Sequence, residues 1–112
     1  MAENGKLPPH NVEAEEAVLG SLLVDPDSIT EAAILLKPEA FYREKNQWVY
    51  EACLALYDRN EAINQITVAQ ELATQGRLEA VGGVGYLSLL VERLPTSLHV
   101  EHYARIVHRL SV

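Results

Sequence analysis

Three stretches of the sequence carry residue types that could do chemistry. His99, Glu101, His102 and His108 cluster near its end, where imidazole and carboxylate groups could hold a zinc ion, and His99 and His102 share a helix face at a spacing of three. The run lacks the HExxH order, and a third ligand would have to arrive from elsewhere, so a solvated face whose charge varies with pH accounts for it more simply. Glu13, Glu15 and Glu16 could supply a general acid and a general base. At the start of a helix, however, carboxylates meet unsatisfied amide donors and the positive end of the dipole, which explains them without catalysis. The glycines of GGVGYLS, Gly82 to Ser88, invite comparison with a phosphate loop. They lack the GxxxxGKS or GxxxxGKT pattern and a lysine to follow, and Ser88 stands where a dinucleotide fingerprint needs its third glycine. Cys53, in EACLALY, reads as a small buried hydrophobe. No Ser, His and Asp set assembles from spacing, so these groups form no catalytic constellation.

The elements that would position such groups are helical. In VEAEEAVLGSLLV, Val12 to Val24, Ala14, Val18 and Leu22 lie four apart, and Leu19 and Leu23 widen them into a broad apolar face. Asn11 is its natural cap. Gly20 costs about 1 kcal/mol against alanine inside a helix, so it marks a place where another helix comes close. This stretch predicts the central helix of the domain. Asp25 and Pro26 then stop it and start a second helix, capped by Asp25 and running to about Leu36. PEAFY, Pro38 to Tyr42, predicts a single turn that drives Phe41 and Tyr42 into the core. The longest pattern runs from about Glu44 to Asn60, with Val49, Cys53 and Leu56 on one side and Trp48, Ala52 and Ala55 beside them. After a loop from Asn60 to Ile66, Thr67 caps a helix with Gln70 completing a capping box, and Gly76 ends it. VGGVG, Val81 to Gly85, reads as a loop before the helix YLSLLVERL, which Pro95 closes.

Thr96 or Ser97 starts a last helix whose Val100, Tyr103, Val107 and Leu110 step by three and four, the seam of a helix paired with another helix. That seam stops in midstream at Val112, as in a fragment of a longer protein. Residues 1 to 10, with Gly5, Pro8 and Pro9, read as a flexible lead-in. Nowhere do apolar residues alternate with period two. The expected fold is therefore all-α: a compact orthogonal bundle of about six helices, globular over 11–95, with 96–112 as the first part of a truncated helical hairpin.

A chain of 112 residues is one domain by ordinary priors and can bury roughly two thirds of its unfolded surface. Its 48% hydrophobic and 22% charged content is globular and not disordered. The formal charge of −7 argues against an unaided grip on nucleic acid, which rests on Lys and Arg neutralising phosphates, and favours protein partners. The single cysteine excludes an internal disulfide and fits a reducing cytosol. With no signal peptide core and no apolar run of about 18 residues, a cytoplasmic protein that meets no membrane is expected.

What remains is surface for association. Tyr86, at a helix start just after the glycines, is one candidate contact, with inward packing as the open alternative; the seam Val100, Tyr103, Val107 and Leu110 is the candidate interface between protomers. The blocks PPHNVEAEEAVLGSLL, PEAFYREKNQWVYEACLALY, ITVAQEL, GGVGYLSLL and LPTSLHVEHYARIV follow one another in an order that resembles the N-terminal domain of the bacterial replicative DNA helicase, the DnaB family, from about Leu7 to Leu110. One departure is Asn64, where the family usually has aspartate.

The resemblance implies a hexameric parent that unwinds duplex DNA 5′ to 3′ at the replication fork. Its ATP and magnesium would belong to a RecA-like motor domain beyond Val112, leaving no cofactor in this stretch. It implies that the helix from about Ser97 is the first arm of a hairpin, that copies pair and form a collar, and that the C-terminal domain of primase docks there, with Tyr86 as candidate contact. A stand-alone regulatory or nucleic-acid-binding helical module is the other class; a Walker motif downstream of Val112, against a nearby stop codon, separates the two.

Overall fold

The first helix begins as its sequence dictates. In the computed structural model, which describes residues 11–94 and 100–111, Asn11 is extended and its Oδ1 accepts the backbone N–H of Ala14 at 3.0 Å, capping α1 (Val12–Val24). The lead-in at 1–10, the helix start at Thr96 or Ser97, and His99 lie outside the described residues. Every residue of α1 from Ala14 to Leu23 is buried, so the broad face seen in sequence is in fact the whole circumference. A helix buried all round needs cover on every side; α3 (Glu44–Asp58), α6 (Gly83–Glu92) and α7 (Val100–Ser111) provide it. At Gly20 the backbone of α6 comes so near that a Cβ would stand 2.5 Å from the carbonyl oxygen of Leu90. This is the close approach that a glycine inside a helix predicts.

Asp25 does not cap the second helix. A 3₁₀ turn, Pro26–Ser28, intervenes without a side-chain cap, and α2 (Ile29–Leu35) starts only at Ile29. Proline sets φ for the tight turn, and the Ser28 hydroxyl donates to the Asp25 carbonyl at 2.7 Å. A second 3₁₀ turn, Pro38–Ala40, leads to Phe41, which is buried against Tyr50 with ring centroids 4.9 Å apart. Tyr42 departs from expectation: its side chain is 38% exposed. After a single turn, neighbouring extended residues point to opposite sides, and Phe41 takes the inner one.

The cap of α4 (Gln65–Thr74) lies three residues earlier than expected. Asn64 Oδ1 accepts the N–H groups of Ile66 and Thr67, and Thr67, in place of the cap itself, is the reciprocal member whose Oγ1 accepts the N–H of Asn64 at 2.9 Å. Thus Asn64 performs with an amide oxygen the accepting role open to an aspartate. VGGVG is not a loop. A one-turn α5 (Leu78–Val81) ends at Gly82, whose φ of 107° only glycine adopts freely, and α6 begins at the next residue. This short turn raises the tally to seven α-helices among the described residues, which contain no strand.

Candidate functional site

Glu15 is the most deeply placed acid among the described residues, at 1% exposure. Helix α1 carries it inward because it lies four and seven residues before Leu19 and Leu22, both fully buried. A carboxylate taken out of water must recover its hydrogen bonds. Its Oε2 accepts the backbone N–H of Tyr42 at 2.6 Å, and its Oε1 accepts Asn46 Nδ2 at 2.9 Å. Asn46, fully buried on α3, in turn accepts the hydroxyl proton of Tyr86 from α6. One chain of hydrogen bonds therefore ties α1, α3 and α6 together at the N-terminal end of α1. Leaving any buried member unpaired costs about 1–3 kcal/mol.

Tyr86 packs inward. It is buried, and Lys45 covers its ring with Nζ 3.9 Å from the centroid. Burial, and then the charge of Glu16, push its phenol up to about 12. Of the two alternatives open from sequence, the structure takes the inner one, and the group that covers the ring on its outer side is Lys45. Glu16 is buried beside it and meets the exposed Arg93 at 3.3 Å. Glu13, Glu15 and Glu16, which look alike in sequence, thus divide into one surface acid and two buried ones, each of the latter held by named partners.

The seam of α7 finds its cover within the chain. Val100 and Val107 are buried with Ala104, and α7 lies against α1 and α2. Those two valines are therefore not open to another protomer, contrary to their reading as interface residues; the all-round burial of α1 is what draws them in. Tyr103 and Leu110 remain half-buried. Glu101 is paired with Arg105 one turn on, His102 sits edge-on to Tyr103 with centroids 5.3 Å apart, and His108 is exposed. Among the described residues no group of three His, Cys, Asp or Glu side chains is placed to hold a metal ion, and no helix is long and apolar enough to cross a membrane. Cys53 is fully buried on α3, and burial pushes its thiol up to about 12, the condition of an inert cysteine.

Sequence inspection missed the chain from Glu15 through Asn46 to Tyr86. The spacing held the clue, because Asn46 stands three, four and seven residues before the buried Val49, Tyr50 and Cys53, just as Glu15 precedes Leu19 and Leu22. Polar residues in register with an apolar face belong inside it.

The fold and its buried polar clasp define an all-helical domain packed around one central helix. The chain belongs to the family of DnaB-like helicase N-terminal domains, whose sequence model matches residues 7–109. It is 44% identical over 109 residues to the replicative DNA helicase DnaC of Bacillus subtilis, covering 97% of this chain and 24% of that protein. The crystal structure of the N-terminal domain of DnaB helicase from Mycobacterium tuberculosis superposes with a TM-score of 0.90 at 40% identity, over 93% of this chain and 75% of that one. A DnaB-like replicative helicase, described with its interactions with primase, superposes at 0.80 and 28% identity over 90% of this chain and 24% of its own. The chain thus spans about a quarter of the length of such full-length relatives.

Proposed function

We propose that this chain is the N-terminal collar module of a hexameric replicative DNA helicase in the bacterial cytoplasm. It assembles with copies of itself in pairs and docks the C-terminal helical domain of primase. ATP hydrolysis with magnesium and 5′ to 3′ unwinding belong to the motor domain of the longer parent. The observation that carries this reading is the family match over residues 7–109, joined to a fold that agrees with that of a relative's N-terminal domain at a TM-score of 0.90. The acidic charge of −7 supports protein partners over direct binding of nucleic acid.

On this reading α7 continues toward the hairpin, with Tyr103 and Leu110 as the seam residues left for another protomer. Tyr86 acts on primase through the surface it supports, since its ring holds Lys45 and its hydroxyl holds Asn46. Calorimetric titration with a purified primase C-terminal domain tests this. The chain is expected to bind it saturably, Tyr86→Ala to weaken it, and Tyr86→Phe, which keeps the ring under Lys45, to weaken it less. An unchanged dissociation constant in Tyr86→Ala removes Tyr86 from the site, and absence of any binding alongside tight binding of single-stranded DNA supports the stand-alone nucleic-acid module instead.

A further inference from the structure

At the C-terminal end of α1, away from Tyr86, the ends of α1 and α3 converge on an open groove of about 630 Å³. A helix of 13 residues separates the two places by roughly 20 Å. The groove is floored by Leu23, Ile29 and Ile63, and its walls expose Val24 and Tyr57, 49% and 41% accessible. An accessible tyrosine on the wall of a concavity is a residue type that interfaces use as an anchor, and Val24 adds apolar area beside it.

The rim is negative. Asp27 and Glu61 line it, and Asp58, the exposed neighbour of Tyr57 in the chain, adds to the negative charge on that side. The cation beside it, Arg59, is already committed, with Nη2 at 3.0 Å from Glu61 and 2.6 Å from Glu71. Helix α1 has no basic residue in its last turn and ends on Asp25, so the negative end of its dipole meets no cation, whereas α3 ends on Arg59. The N-terminus of α4 borders the groove too, but its first free amides are taken by Asn64 Oδ1. Apolar floor, aromatic wall and acidic rim together call for a ligand that is apolar on one side and cationic at its edges.

We propose that this groove docks a basic amphipathic helix of a partner protein, its apolar side against Val24 and Tyr57 and its Lys or Arg groups toward Asp27, Glu61 and the C-terminal end of α1. The surface is separate from the one assigned to primase above and does not depend on that assignment.

Fluorescence anisotropy with two labelled synthetic helical peptides tests it, one of Leu and Lys at helical spacing and one with Glu in place of Lys. The Leu/Lys peptide binds saturably and the Leu/Glu peptide does not. Tyr57→Ala weakens binding about tenfold, and Asp27→Asn with Glu61→Gln does so by about threefold to tenfold. Val24→Ser repeats the effect should Tyr57→Ala fail to fold. Glu79→Gln with Glu92→Gln, an equal change of charge on exposed sites that do not line the groove, leaves binding unaltered. Equal weakening by that control pair would reduce the effect to general charge attraction and overturn the proposal. Failure of the Leu/Lys peptide to bind would also overturn it, as would a concentration-dependent dimer that Tyr57→Ala dissociates, which would make the occupant a second copy.

Discussion

The two ends of α1 use the same kinds of residue to opposite effect. At the N-terminal end an acid and a tyrosine, Glu15 and Tyr86, are drawn inside and joined through Asn46; at the C-terminal end an acid and a tyrosine, Glu61 and Tyr57, stay at the surface. The difference lies in what the chain supplies around them. Near Glu15, the N–H of Tyr42 and the amide of Asn46 replace water for both carboxylate oxygens, so burial is tolerated and the three helices are fixed in register. Around the groove no such donors close over the apolar walls, and the aromatic is left for another molecule. Buried acid and aromatic make architecture; exposed acid and aromatic make a contact.

The largest effect should come from breaking the inner end. Glu15→Ala orphans two donors, one of them the backbone N–H of Tyr42, and should cost about 3 kcal/mol of stability, read as a lowered urea midpoint at unchanged slope. A loss below about 0.5 kcal/mol would mean the clasp holds nothing. Next comes Gly20→Ala, which trades a favourable helix propensity for a Cβ set against the Leu90 carbonyl at 2.5 Å. Because that neighbour is backbone, α6 must move, at a cost of about 1–3 kcal/mol; a stabilised variant would contradict the close packing.

Tyr86→Phe sharpens the comparison further, removing the hydroxyl while keeping the ring under Lys45, and should cost about 1 kcal/mol. Buried acids of the core make the fold sensitive to alkali. Cys53 rises from its ordinary 9.0, and Tyr86 from its ordinary 10.0, each to about 12, so the folded form holds these protons where the unfolded form has released them. Stability should be complete below pH 9 and fall as pH rises from there through about 12, seen in thermal unfolding followed by circular dichroism. Tyr86→Phe should make that decline shallower. A flat profile to pH 12 would show that neither group is sequestered. The smallest effect belongs to the outer end: Tyr57→Ala should change stability by less than about 0.5 kcal/mol, since its side chain is accessible.

Much of this fold was legible. Asn11 as cap, α1 as the centre, Gly20 as a point of close approach and the last helix with its seam all follow from spacing and capping chemistry that act within a few residues. What escaped depended on contacts far apart in sequence. Glu15 and Asn46 are separated by 31 positions, and only folding brings them to 2.9 Å. The seam of α7 looked like an interface because nothing in sequence shows that α1, some 80 residues earlier, needs covering on that side. Local errors have local reasons. Asn64 outcompeted Thr67 as cap because its amide oxygen reaches two successive N–H groups while Thr67 serves as the reciprocal partner. Tyr42 turned outward because Phe41 filled the space beside Tyr50.

The most direct test is a nitrogen-15 amide spectrum of the chain titrated with the primase C-terminal domain. An association module of this design should show saturable shifts grouped around Lys45 and Tyr86, with Glu15 and the centre of α1 unmoved. Shifts absent at saturating primase, or spread evenly through the buried core, would contradict a rigid helical scaffold built for docking.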